Sequence, residues 1–139
     1  MNPQSEPIVL TALDAVRLEA LVRRLDDGPH ADKDRPLDEL LAEATVVAGH
    51  DVPKHIVTMH SCLLLRDPHG GATREVTLCY PADARPSAGW VSVLSPLGTS
   101  LLGRAEGALA RWRCPGGEER VAQIAALLFQ PESQGDYVT

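Results

Sequence analysis

Val91-Ser92-Val93-Leu94-Ser95-Pro96-Leu97-Gly98-Thr99-Ser100-Leu101-Leu102-Gly103 decides how the 139-residue chain is read. Val91, Val93 and Leu94 favour a pleated, half-buried strand. Ser95 can accept a backbone N–H as a helix N-cap, and Pro96 suits the first helical position, where no hydrogen bond is lost. Leu97 and Leu101 lie four residues apart on one helix face, with Leu102 beside them. Gly103 can end the helix in a left-handed conformation. On its residues alone this is a strand, a sharp corner and one short helix.

Working outward, residues 57–66 alternate like a strand, and Asp67-Pro68-His69-Gly70-Gly71 is a turn. Arg74 to Tyr80 returns as a second strand with Val76, Leu78 and Tyr80 on one face, giving a β-hairpin. A loop follows from Pro81 to Gly89. Beyond the corner, Ala108 to Arg113 reads as a strand around Trp112, and Cys114-Pro115-Gly116-Gly117 as a turn. Glu118 to Phe129 fits two patterns. Val121, Ile124, Ala125 and Leu128 have helical spacing, whereas the tight turn before them favours a hairpin strand. The residues leave both open.

Toward the N-terminus, Pro7 to Leu10 is an extended lead-in, and Thr11 is an N-cap with Asp14 in the place of a capping-box acid. Leu18, Leu21, Val22 and Leu25 carry the helical spacing that follows. After the break at Asp26-Asp27-Gly28-Pro29, Pro36 sits near the start of a second helix. Its spacing runs through Leu37, Leu40, Leu41, Ala44 and Ala48 to Gly49. The two form an antiparallel helical hairpin about 18–22 Å long at 1.5 Å per residue. The expected organisation is α+β, with residues 1–50 as the hairpin and 51–139 as an antiparallel sheet with one short helix.

Composition narrows the function. The net charge is −6, and residues 1–50 hold ten acidic against five basic side chains. No basic block is present to displace counterions from phosphates, so direct nucleic-acid binding is not expected. No apolar run reaches membrane-spanning length, and residues 1–6 lack a signal peptide's basic start. Cys62, Cys79 and Cys114 are an odd number without paired spacing, as expected of thiols in the cytoplasm.

The chemistry-bearing motifs are sparse. No phosphate-cradling glycine loop and no zinc-type spacing occurs. His55 and His60 are an odd number apart, so on one strand they point to opposite faces and share no metal. Ser95 lacks the flanking glycines of a nucleophile elbow. Asp26, Asp27, Asp32 and Asp34 cluster at the hairpin tip, but Asp32 to Pro36 lacks a calcium loop's downstream Gly and Glu. A solvated acidic loop is expected there, with no metal, no cofactor and no catalytic residue.

Ser95-Pro96-Leu97-Gly98, Leu101-Leu102-Gly103 and Pro115-Gly116-Gly117 together resemble the C-terminal domain of the bacterial Gre transcription elongation factors. Supporting stretches are Asp51-Val52-Pro53, Val57-Thr58-Met59 and Thr77 to Ala82. The tail Phe129-Gln130-Pro131-Glu132 with Gly135-Asp136-Tyr137 points to a short Gre-like protein, since Gre factors usually stop near the last strand. The resemblance implies that the helical hairpin is a short coiled coil, followed by a C-terminal domain like FK506-binding proteins, and makes Glu118–Phe129 a strand. It implies RNA polymerase as the partner, engaged at a helical hairpin on the rim of the secondary channel. Ser95, Pro96, Leu97 and Gly98 would then face the partner, while Leu101 and Leu102 anchor the corner. In cleavage factors, acidic tip residues help hold magnesium in the polymerase active site. Here Asp26 and Asp27 fall outside that motif and the hairpin is short, so a non-catalytic regulator is expected, with transcript cleavage as the alternative. Prolyl isomerase activity rests on fold analogy alone, and five scattered aromatics argue against it.

Overall fold

The computed structural model describes residues 8–27 and 36–136. The lead-in is a strand, β1 (Val9–Thr11), and runs directly into α1 (Ala12–Asp26). Thr11 caps α1 as expected, its Oγ1 accepting from the Asp14 N–H at 3.1 Å. At 15 residues α1 is about 22 Å long. Asp26 and Asp27 lie exposed at its C-terminal end; Asp32 and Asp34 fall outside the described residues.

The second helix is shorter than its spacing predicts. α2 covers Pro36–Glu43 only, and the chain then extends into β2 (Thr45–Val47), which pairs in parallel with β1. Thr45, Val46 and Val47 are three consecutive β-branched residues, stiff at χ1 and suited to a strand. Thr45 N donates to Ile8 O at 2.8 Å, so the pairing with β1 supplies the hydrogen bonds that a longer helix would have made.

The larger sheet contains β3 (Cys62–Arg66), β4 (Thr73–Cys79), β5 (Trp90–Ser92), β6 (Leu109–Arg113) and β7 (Glu119–Phe129) in the order β5-β4-β3-β7-β6. It is mixed rather than antiparallel, because β5 runs parallel to β4. Parallel neighbours need a crossover, and the segment between them supplies it through two 3₁₀ turns, Pro81–Asp83 and Pro86–Ala88. Glu119–Phe129 is a strand. It pairs with β3 on one side and β6 on the other, and that two-sided ladder outweighs the helical propensity of its Ala and Gln residues.

The strand expected over 57–66 begins only at Cys62. His60 has φ 68°, a left-handed conformation that stops an extended run, and Ser61 N bonds back to Thr58 O at 3.1 Å. His60 is therefore in a turn, and its facing relative to His55 is not set by strand alternation.

Alternate residues of the sheet (Leu63, Leu65, Val76, Leu78, Ala110, Ile124) are buried on one face. Leu101 and Leu102, from α3 (Pro96–Leu101) and its C-cap, join them, as do Leu10, Leu18, Leu37 and Leu40. The family resemblance noted above thus meets a mixed α+β architecture of three helices and a curled sheet, with α3 delivered to the core by the corner at Ser95.

Candidate functional site: the Ser-Pro corner and the helix junction

The corner is held by local hydrogen bonds that its own residue types provide. β5 ends at Ser92, and Val93 N donates to Cys79 O at 2.9 Å. Ser95 is extended (φ −69°, ψ 154°), and its Oγ accepts from Gly98 N at 3.0 Å, which makes it the N-cap. The same hydroxyl donates to Ser92 O at 2.6 Å, and Ser92 Oγ accepts from Leu94 N at 3.0 Å. Thr99 Oγ1 donates to Val93 O at 2.6 Å, tying the helix back to the strand end.

Gly98 is required by space. A Cβ there would stand 1.9 Å from Ser92 O, closer than any real contact, so the strand end and the first helical turn can meet only over a glycine. Leu101 and Leu102 are 0% exposed and anchor the corner in the core, as expected of them.

The four predicted contact residues are presented unequally. Pro96 is exposed, Ser95 and Leu97 are half-buried, and Gly98 is buried. What the corner exposes is the Pro96 ring with part of Leu97 and the Ser95 edge, on a frame that Gly98 makes possible. Grooves run along both flanks. Ser95 and Leu97 border one with Ser87 and Val91, and Pro96 borders the other with Ile8, Trp112 and the helix α2. Residues 91–103 carry no ionisable side chain, so the corner itself is indifferent to pH.

A second constellation was not foreseen from the sequence. Asp14 is 3% exposed, and its Oδ2 accepts from Met59 N at 3.1 Å, fastening α1 to the turn before β3. Burial, opposed by that backbone bond and reinforced by the Glu132 charge, pushes its pKa up to about 6. On the same turn, Thr58 Oγ1 donates to Glu132 Oε1 at 2.7 Å, and Thr58 N donates to Ser61 Oγ at 2.9 Å. His60 stands edge-on to Tyr80 with ring centroids 5.5 Å apart, and burial holds its pKa below the ordinary value. Gln130 Nε2 completes the junction by donating to Pro53 O at 2.9 Å and Ile56 O at 2.7 Å. The signal for it in the sequence is Asp14's place four residues before Leu18, on the apolar face of α1; Asp14 holds the third helical position after the Thr11 cap, and its carboxylate also reaches Met59 N.

Neither strand cysteine has an activated thiol. Burial pushes both the Cys62 and Cys79 thiols up, and Cys62 Sγ donates to Glu75 Oε1 at 3.2 Å. Among the described residues no group of three or more His, Cys, Asp or Glu side chains could hold a metal ion, and no helix is long and apolar enough to cross a membrane.

Comparison with known proteins agrees with this architecture. Residues 52–127 match the family described as "Transcription elongation factor, GreA/GreB, C-term". The chain is 32% identical over 138 residues to the "Regulator of nucleoside diphosphate kinase" of Escherichia coli K12, covering 94% of this chain and 96% of that protein, and equally to its Shigella flexneri counterpart. The solved "Prokaryotic transcription elongation factor GreA/GreB" from Nitrosomonas europaea superposes with a TM-score of 0.71 at 35% identity, over 88% of this chain and 99% of that one. By its sequence match, its near full-length relatives and its fold, the chain belongs to the GreA/GreB transcription elongation factor family.

Proposed function

We propose that this protein is an RNA polymerase-binding transcription regulator. It docks at the secondary-channel rim through Ser95, Pro96, Leu97 and the Gly98 turn beneath them, competes there with longer Gre-type factors, and in doing so alters nucleoside diphosphate kinase levels. Residues 51–139 serve as the docking unit, an FK506-binding-protein-like arrangement used for contact and not for isomerisation. Within residues 1–50, the helices α1 and α2 serve as the short coiled-coil hairpin, and the protein works in the cytoplasm beside the polymerase.

The observation that carries this reading is the exposed Pro96 on a fully hydrogen-bonded frame within a chain of Gre family membership. A rigid contact group loses little entropy on binding, which favours such a corner as an anchor. The α1 length of about 22 Å supports a blocking role over one that reaches into the channel. The acidic tip is assigned no metal and no catalytic part.

The test is recovery of RNA polymerase from extract by wild type and by the Pro96→Ala, Leu97→Asp double variant. The variant is expected to recover at least tenfold less polymerase, the loss of about 1.4 kcal/mol or more of contact; equal recovery overturns the docking surface. Added to backtracked elongation complexes, the wild type is expected to leave RNA length unchanged, and shortened RNA would restore the cleavage reading.

A further inference from the structure

Two consecutive residues of the turn before β3 are held by carboxylates from distant parts of the chain. Met59 N donates to Asp14 Oδ2 of α1 at 3.1 Å, and Thr58 Oγ1 donates to Glu132 Oε1 at 2.7 Å. Glu132 belongs to the 3₁₀ turn Pro131–Gln134, which follows β7. The residue before that turn grips the chain leading into the Thr58–Met59 turn. Gln130, 2% exposed, donates from Nε2 to both Pro53 O and Ile56 O. Residues 130–136 are thus seated where α1, the turn and the sheet meet.

That seat holds a conflict. Asp14 is 3% exposed, and a carboxylate withdrawn from water is costly to charge. The Glu132 charge adds repulsion, while Arg17, one turn further along α1, partly offsets it. The two rings on this side of the fold are neutral, since burial disfavours the charged forms of His60 on the turn and of Tyr80 just after β4. Asp83, in the 3₁₀ turn after β4, and Asp136 act on His60 with the same sign as Glu132.

Charging Asp14 therefore calls for water, and the elements around it differ in how easily they admit it. Ala15 and Leu18 fasten α1 into the apolar core, and the Met59 side chain does the same for the turn. Residues 130–136 are fastened to the rest of the chain through the polar contacts of Gln130 and Glu132. Their remaining bonds are local: Ser133 N donates to Gln130 O at 3.1 Å, Gly135 N to Glu132 O at 3.1 Å and Asp136 N to Pro131 O at 3.0 Å. A segment with few buried apolar contacts opens at lower cost than the core beside it. Its opening takes the Glu132 charge away from Asp14 and lets water reach the carboxylate, with Arg17 still beside it on α1.

We infer that residues 130–136 are a latch on the Thr58–Met59 turn, closed while Asp14 carries a proton and loosened when Asp14 takes up charge. The latch does not depend on docking at Pro96. With it closed, burial holds the Asp14 pKa at about 6, and opening returns it toward the ordinary carboxylate value. A group whose pKa is raised in the closed form favours closure most below its ordinary pKa, and that favour is lost as pH rises through 6. One proton leaves Asp14 for solvent as the latch opens.

The experiment is amide hydrogen exchange on the full chain between pH 5 and pH 7.5, expressed as protection relative to an unstructured peptide. The Ser133, Gly135 and Asp136 amides report on the latch, and the Leu78 and Ile124 amides, bonded to Ser61 O and Ala108 O, report on the sheet. Wild-type protection of the three latch amides is expected to fall up to about tenfold across that range, while the sheet amides hold theirs. Asp14→Asn still accepts from Met59 N but cannot ionise, and its latch protection is expected to stay level. Glu132→Gln keeps an acceptor for Thr58 without the charge, and a smaller fall than wild type's is expected. Level protection in wild type overturns the latch, and so does an equal fall in Asp14→Asn, because another group would then be titrating. An equal fall at Leu78 and Ile124 also overturns it, since the whole fold and not this segment would be opening. A fall in Glu132→Gln no smaller than wild type's overturns the opposition of the two carboxylates on which the latch is built.

Discussion

The corner at Ser95 and the junction around Asp14 are both tight, and they are tight for opposite reasons. The hydroxyl hydrogen bonds at the corner each span six residues or fewer and join neutral groups, with Ser95, Ser92 and Thr99 hydroxyls satisfying nearby backbone. The junction is made by contacts across the whole chain, Asp14 to Met59 and Thr58 to Glu132, and it buries a carboxylate. Local neutral bonding yields a surface whose shape persists across conditions. Long-range charged bonding yields a joint whose strength depends on them.

The sharpest challenge to that contrast is Gly98→Ala. The new Cβ cannot avoid Ser92 O, so a loss of about 3 kcal/mol or more is expected in urea unfolding. A loss below about 0.5 kcal/mol would mean that the corner is softer than its hydrogen bonds imply.

Next in size is Asp14→Asn. Asn can still accept from Met59 N, but it carries no charge to bury. Because the folded pKa of Asp14 is raised to about 6, folding favours its protonated form. The stability it contributes is fully present below the ordinary carboxylate pKa and is lost as pH rises through 6. The variant is therefore expected to be more stable than wild type by up to about 3 kcal/mol at pH 7.5, with the difference shrinking toward pH 4. Denaturation across that range checks the sign, and a pH-independent difference would remove Asp14 as the titrating group of the junction.

The smallest effect belongs to Ser95→Ala, which leaves Gly98 N–H without its cap. About 1 kcal/mol is expected, independent of pH, since neither the hydroxyl nor its partners titrate. A pH-dependent loss would show that the corner and the junction are coupled.

The same contrast explains what could be read from residues. Ser95, Pro96 and Gly103 announce a cap, a start and a stop within a few positions, so the corner was legible down to its terminal residues. The helical spacing of Ala44 and Ala48 carries the expected α2 past Glu43, while the partner that makes Thr45–Val47 a strand lies at Val9–Thr11. The choice at Glu119–Phe129 stayed open for a similar reason: its neighbours Cys62–Arg66 are far away in sequence. His60 interrupts an otherwise strand-like pattern through a backbone conformation that no neighbouring residue signals. At the candidate site, the residue types were legible but their exposure was not, since Gly98 is buried by Ser92, a neighbour reached only after the chain reverses.

Gly103 carries a consequence for how the protein is made. Its carbonyl accepts from Val9 N at 3.2 Å, its N–H donates to Val57 O at 2.9 Å, and Ile8 packs where its side chain would be. The first strand among the described residues is thus sealed by a residue synthesised much later. As the chain emerges, Leu10 and Leu18 precede Leu37, Leu40 and the β3–β4 strands of their shared core, and they lack the corner leucines Leu101 and Leu102 until the ribosome has reached Gly103. The N-terminal helix is born first and secured last, so a ribosome stalled before that glycine would present an exposed apolar helix to chaperones and proteases.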